Sequence, residues 1–387
     1  MTTRPITAAA MAAGLLFETP VFAQPAATVA GVSSTTATAA QEAVALQNWR
    51  AAIAQIPTPP SGCFHVAYPN YVWEQVDCQT PAAQIHPMHM RAPAGAPQIA
   101  GNGNDYALKA QGLIGSVNGA FITSGITTEA SVGVPAYGNG GILGSDEYSL
   151  QINTNANLTG PACAGHSQCH IWQQFVYATD YDTVIPVLDV GAGLFMQYWL
   201  IDWDASCPSG WQTSTSGAAT DCFRNSYTAL LPDIPISDLG DVRMQAYAGA
   251  GGVDVVTLEY GQDVWSVSTS DGVLGIGSVW QEAEFNVVGD AGGSQAQFYP
   301  GASITLQLSL NDESSAAPTC VAQAGTTGET NNLNLGSCQV GKFGISATDP
   351  YVYPYTMQFT ESLPAIPPPV LSRCPNGEVT CPNTHED

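Results

Sequence analysis

From Gly62 onward the chain alternates apolar and polar residues in short stretches, and Gly, Pro, Asn and Asp punctuate the gaps. A period of two places successive side chains on opposite faces of an extended chain. The pattern predicts strands at Leu113–Ile122, Ser149–Asn153, Ile171–Tyr177, Leu194–Trp203, Val242–Ala248, Val253–Tyr260, Val264–Ser268, Glu282–Val288, Gln295–Tyr299 and Ser303–Leu310. Cys63 and Cys78 bracket a further hairpin. Helical spacing occurs once, from Gln41 to Ile56, with Val44, Leu46, Trp49, Ile53 and Ile56 toward one side. Thr58-Pro59-Pro60 ends it. No helix-length segment separates the strands, which excludes a parallel α/β sheet. The expected fold is all-β: an antiparallel β-sandwich of jelly-roll or concanavalin-like type, with a short N-terminal helix.

Composition changes this picture only at the margins. Charged residues make up 10% of the 387, against roughly 25% in ordinary soluble proteins. Eight Lys and Arg against 32 Asp and Glu give a net charge of −24. Such a surface repels nucleic acid and anionic membrane, so neither is expected as a partner. Residues 1–23 have the character of a secretory signal: Arg4, the apolar run Ala8–Phe17, and small residues up to Ala23. Residues 24–60 form a low-complexity linker and the helix. They are either a propeptide masking a cleft or an N-terminal helix packed on the domain. The sandwich is expected over 61–363, followed by a Pro-rich tail, 364–387. Ten cysteines fall into five close-set pairs: Cys63 with Cys78, Cys163 with Cys169, Cys207 with Cys222, Cys320 with Cys338, and Cys374 with Cys381. Disulfides between those neighbours fit an oxidising compartment, so a secreted or periplasmic location is expected.

Candidate chemistry concentrates in Val279–Pro300, which reads as strand, Gly-rich turn and strand. On its first strand Ala283, Phe285 and Val287 face one way, and Glu282, Glu284 and Asn286 the other. Paired carboxylates on one strand face suit general acid–base work. The stretch Ile171–Tyr177 carries Gln173 and Gln174 on opposite faces, and one of these amides could donate to a developing oxyanion. In Phe195–Trp203, Phe195, Gln197, Trp199 and Ile201 alternate with Met196, Tyr198, Leu200 and Asp202. Tyr198 and Trp199 are the candidate cleft aromatics. Cys163, His166, Cys169 and His170 have metal-like spacing, but an oxidising compartment favours a Cys163–Cys169 disulfide, and no metal or cofactor is expected. His86 and His89 are expected in surface or packing roles.

These motifs resemble those of the glutamic peptidases, the eqolisins, and more distantly the neprosin-type prolyl endopeptidases. The eqolisin catalytic Glu sits in a motif of the type Ala-Glu-Trp-Ile-Val, followed by a Gly/Ser loop and a Phe-containing strand. Ala283-Glu284-Phe285-Asn286-Val287, Gly292-Gly293-Ser294 and Phe298–Leu306 are similar. The partner motif, Leu-Gln-Thr-Gly-Val, resembles Trp172-Gln173-Gln174-Phe175-Val176, with Gln173 as the first choice and Gln174 as the other. Ile236–Val242 resembles the start of an eqolisin strand. The resemblance spans about residues 110–310. It implies a secreted, acid-acting endopeptidase with polypeptide substrates and no cofactor. Glu284 would be its general base and then its general acid, and the Gln amide its oxyanion donor. Glu282 would tune the pKa of Glu284, and Asn286, Tyr198 and Trp199 would line the cleft. Two alternatives remain from the residues alone: a glycoside hydrolase, or a non-catalytic sandwich binding glycan or peptide.

Overall fold

The computed structural model describes residues 39–81, 85–88, 99–124, 126, 142–179, 191–203, 206–214, 220–343 and 355–365. The proposed signal segment and His89 lie outside the described residues. From Ala43 the chain forms one compact unit; the described part of the preceding unit is only 39–42, the first residues of the helix Ala39–Ile53.

Two sheets stack face to face. In the larger, the hydrogen-bonded order is Gln295–Ala296, Thr330–Leu335, Thr356–Ser362, Ser303–Asn311, Ser116–Ser124, Arg243–Ala248, Val253–Tyr260, Asp263–Ser270, Gly62–Ala67 and Glu74–Val76. The smaller runs Thr319–Val321, Ala107–Lys109, Glu282–Val288, Ser149–Thr154, His170–Ala178, Ala192–Ile201, Asp221–Asn225 and Gln212–Ser214. Pairing within this smaller sheet is antiparallel throughout. The all-β sandwich expected from the period-two pattern is therefore the fold. Its interior is built from the apolar half of each alternation. Ala283, Phe285 and Val287 meet Leu150 and Ile152 from the adjacent strand, and Val117, Phe121, Leu306 and Leu308 from the opposite sheet, in one buried cluster.

Phe285 shows how tightly the sheets approach. Its ring lies 4.8 Å from that of Phe121, centroid to centroid. A Cβ at Gly119 would fall 2.6 Å from the Phe285 ring. Gly119 is thus glycine because the opposing aromatic occupies its side-chain space. Gly119→Ala is expected to cost ~1–3 kcal/mol through overpacking. A fall in the urea midpoint at unchanged m-value checks this.

The helix packs on the outer face of the larger sheet, where Trp49 and Ile53 are buried against Val66 and Val264. Trp49 also donates its indole N–H to the Asn70 carbonyl. Val44, placed by its spacing on the apolar side, is exposed. Since Glu284 and Asn286 project from the smaller sheet away from the interior, this helix lies on the opposite side of the sandwich from them.

Two local expectations need correction. The Gly-rich turn after Val288 does not close a hairpin. Gln295–Ala296 pairs in parallel with Thr330–Leu335, so the chain crosses between the sheets there. Ile236–Asp241 is a 3-10 turn, not a strand start. The Asp238 amide donates to the Pro235 carbonyl and the Val242 amide to the Leu239 carbonyl, so the backbone is spent within the turn and the strand begins only at Arg243.

Four disulfides join Cys63–Cys78, Cys163–Cys169, Cys207–Cys222 and Cys320–Cys338, with Cα separations of 5.3–6.5 Å. Four of the five expected neighbour pairings are therefore present. The fifth, between Cys374 and Cys381, is not among them: Cys374 and Cys381 both lie in the tail beyond Ala365, outside the described residues. In the Cys163–Cys169 loop, His166 stacks on Trp203 at 3.5 Å between ring centroids. No described helix is long and apolar enough to cross a membrane.

Candidate active site

The register of the smaller sheet places one polar residue after another on its outer face. Glu284 lies opposite Asn153, Asn153 opposite Gln174, Gln174 opposite Gln197, and Gln197 opposite Asn225. One acid and four amides thus form a row across five adjacent strands. Strand spacing of about 4.8 Å sets Glu284 and Gln174 about 10 Å apart at Cα, with Asn153 between them.

Side-chain bonds fix each amide in this row. Gln174 Nε2 donates to Gln151 Oε1 (3.1 Å), and Gln174 Oε1 accepts from Trp199 Nε1 (3.1 Å). Asn153 Nδ2 donates to Gln151 Oε1 at 3.2 Å and to Glu284 Oε2 at 3.3 Å. Gln197 Nε2 donates to Asn225 Oδ1 at 2.7 Å. Beside the row lies an aromatic patch of Trp172, Trp199 and Phe223 with Ile201.

Glu284 is 2% exposed. Its Oε2 accepts from the Thr326 amide and the Thr326 hydroxyl, both at 2.7 Å, as well as from Asn153. Its Oε1 takes no amide or hydroxyl donor among the described residues. Glu284 Oε1 and Asp105 both crowd Gly325, where a Cβ would lie 3.1 Å from the one and 2.9 Å from the Cβ of the other, and the two carboxyls interact. Asp105 is itself held by Asn286 Nδ2 at 2.8 Å and by the Gly101 amide at 3.0 Å. Burial pushes the Glu284 pKa up, opposed by the Thr326, Asn153 and Asp105 hydrogen bonds. Burial, with the charges of Glu284 and Glu361, pushes Asp105 well up. Both shifts favour a shared proton, and Asp105 holds it more firmly because Glu284 has more donors.

The structure separates residues that the sequence left together. Gln174 shares the Glu284 face. Gln173 points between the sheets, where its Nε2 donates to Asp254 Oδ2 at 3.0 Å. Tyr198 also points inward, with its hydroxyl 2.6 Å from that of Thr269, so Trp199 alone of that pair reaches the candidate cleft. Glu282 is tied to Lys109 at 2.7 Å at the sheet margin. The carboxyl beside Glu284 is that of Asp105, not Glu282. Asn286 lies on the Glu284 face but orients Asp105 instead of presenting a free amide. His86, expected in a surface or packing role, is fully buried and packs on Phe195, with Nδ1 3.5 Å from Glu329, a residue distant in sequence. Asp105, Thr326, Gln151 and Asn153 join the site without having been candidates in the sequence. For Gln151 and Asn153 the signal is present, as two amides on one face of a predicted strand.

No protein-family model and no curated protein matches the chain. Among the solved structures that overlap it in part are three peptidase structures. Two are of Scytalido-glutamic peptidase, with a peptide-based transition-state analogue and with a transition-state analogue inhibitor. Both are 12% identical, with TM-scores of 0.29 and 0.26; they cover 67% and 68% of this chain and 98% of theirs. The third is SCP-B, a member of the eqolisin family, in complex with the tripeptide Ala-Ile-His. It is 13% identical, has a TM-score of 0.26, and covers 66% of this chain and 97% of its own. Scores this low leave the function of the site to be argued from its own residues.

Proposed function

We propose that this chain is a peptide-bond hydrolase in which Glu284 activates water and Gln174 donates to the tetrahedral oxyanion. The observation that carries the reading is the polar row itself: a buried acid and a fixed amide on one sheet face, two strands apart. Glu284 would take a proton from water as it attacks the scissile carbonyl and return it to the leaving amine. A neutral amide aimed at the developing oxyanion stabilises it without a buried charge. Asn153, directly between the two, is a positioning residue that bonds Glu284. Asp105 holds the companion proton and, by its hydrogen bond, favours the ionised form of Glu284 that a general base needs, while burial keeps the Glu284 pKa above that of an exposed glutamate. The four disulfides fit synthesis for an oxidising compartment, and we read the protein as secreted or periplasmic. The glycosidase alternative calls for two carboxyls flanking a sugar with space between them. Here the second carboxyl touches Glu284 instead.

Gln174 and Gln173 test the assignment against each other. Gln174→Ala is expected to lower kcat for an unfolded-protein substrate at weakly acidic pH by ~100-fold or more, the scale of losing one oxyanion donor. Gln173→Ala is expected to leave kcat within a few fold and to lower thermal stability, because it strands Asp254 between the sheets. Equal kinetic losses in both variants would sink the Gln174 role.

A further inference from the structure

The polar row and the aromatic patch beside it are covered by the chain itself. Ile85–Met88 crosses this face with its main chain bonded on both sides. The His86 amide donates to Gln197 Oε1 at 2.9 Å, and the Gly292 amide donates to the Ile85 carbonyl at 2.8 Å. The Gly328 amide donates to the Pro87 carbonyl at 2.8 Å, and Met88 forms an antiparallel bridge with Thr327. Side chains divide between two environments. Ile85 and Met88 pack on the Trp172, Trp199, Ile201 and Phe223 patch. The His86 ring lies 5.8 Å from that of Phe195, with Nδ1 3.1 Å from Gln151 Nε2. Its Nε2 is buried without a partner among the described residues.

These are the marks of an extended peptide in a groove: main-chain bonds supply affinity and alternate pockets supply specificity. Two walls provide the bonds. One is the Gly-rich turn 289–294, and the other is the Thr326–Gly328 loop, which also caps Glu284. A Cβ at Gly328 would lie 3.1 Å from the Pro87 and Met88 carbonyls, so a glycine there lets the strap approach. With the strap in place, Glu284, Asn153, Gln174 and Gln197 are each at most 2% exposed. The strap seals the Gln197 end of this row, and the Thr326–Gly328 loop bonded to it seals the Glu284 end, so a substrate reaches the row only when the strap separates from that loop.

We propose that the outer face of the smaller sheet is a peptide-binding groove and that Ile85–Met88 occupies it as an internal ligand, leaving the folded chain latent. Its ligands are extended peptides that place large aliphatic or thioether side chains on the Trp172–Trp199–Phe223 patch. A hydrogen-bonding side chain enters the pocket formed by Gln151, Glu329 and Phe195. The latency rests on the hydrolase reading; the groove does not. A tethered ligand competes at an effective concentration near millimolar, so free peptide at micromolar concentration is excluded until the tether is weakened.

The test uses the full chain and the variant Ile85→Gly/His86→Gly/Met88→Gly, titrated with end-blocked Ile-His-Pro-Met. Tryptophan fluorescence reports binding, since Trp172 and Trp199 line the groove, and hydrolysis of an unfolded protein is followed in parallel. The variant is expected to bind the peptide saturably where the parent does not, and to hydrolyse at least tenfold faster. Saturable binding without hydrolysis supports the groove and overturns the hydrolase reading. Absence of peptide binding in a variant with native circular dichroism overturns the groove. If the triple variant does not fold, Met88→Ala carries the test, and a response no greater than the parent's overturns the proposal.

Discussion

Glu284→Gln is expected to abolish hydrolysis, by ~10³-fold or more, in a chain whose Ile85–Met88 strap has been loosened. The substitution is nearly isosteric, so the loss can be assigned to chemistry. A glutamine at this position still accepts from the Thr326 amide and hydroxyl, which at 2.7 Å are the shortest bonds to the carboxylate. What disappears is the ability to take a proton from water. The melting temperature of Glu284→Gln at pH 4 should stay within ~2 °C of the parent, and at neutral pH it should rise, because a buried carboxylate has been removed. Glu282→Gln is the control. Its partner Lys109 is half exposed, and such surface pairs contribute ~1 kcal/mol or less. Activity within about twofold of the parent is expected there. The comparison needs only progress curves on one unfolded-protein substrate and two melting curves. Retained turnover in Glu284→Gln, or a matching loss in Glu282→Gln, would remove Glu284 from the role of general base.

The strands are legible in the sequence wherever one face is apolar. Glu282–Val288 and Val253–Tyr260 are predicted to the residue. Strands escape the pattern where that contrast fails. Thr330–Leu335, Thr-Asn-Asn-Leu-Asn-Leu, is largely polar because Asn331 spends its side chain on the Val287 carbonyl and Glu361, bonds that exist only in the folded chain. Asp221–Asn225 opens on an Asp that accepts the Asp202 amide. The site is legible in the same partial way. Alternation puts Gln173 and Gln174 on opposite faces, but only the register Glu284–Asn153–Gln174 says which one looks the same way as Glu284. Asp105 and Thr326 come from connections with no periodicity. Thr326 lies 42 residues beyond Glu284, and Asp105 precedes it by most of the sandwich. Long-range convergence of loop residues leaves no mark on local pattern. His86 takes the packing role of its two expected readings, against Phe195, but its carboxylate neighbour, Glu329, arrives from a distant turn and leaves no mark in the sequence around it.

Thermal stability is expected to fall as pH rises from 4 to 8, the reverse of a protein held together by ion pairs. Burial pushes Asp254 up to about 8, helped by Asp271, and pushes Glu361 up to about 8. Asp105 and Glu284 move in the same direction. Asp254 and Glu361 are protonated in the folded chain at a pH where the unfolded chain, with carboxylates near pKa ~4, has already released its protons, and the Asp105–Glu284 pair keeps one shared proton there, held at Asp105. The folded state therefore holds more protons throughout this window, and the unfolding free energy declines with pH. Below pH ~4 both states are protonated and the stabilisation is complete; it is lost as pH rises through the folded pKa values. Each such group contributes a slope of ~1.4 kcal/mol per pH unit where the difference is full. Structural relaxation and water entry reduce that, but a drop of ~10 °C between pH 4 and pH 8 is expected. Glu361→Gln and Asp254→Asn should each flatten the curve, raising stability at pH 8 more than at pH 4. Asp254→Asn also separates stability from catalysis: its partner Gln173 points away from the Glu284 face, so hydrolysis should persist while the pH slope falls. Differential scanning calorimetry of the three proteins from pH 3 to 9 decides it. A parent that melts lower at pH 4 than at pH 8 would mean these carboxylates are ionised and paired inside the fold. The shared proton at Asp105 and Glu284 would then have to be given up.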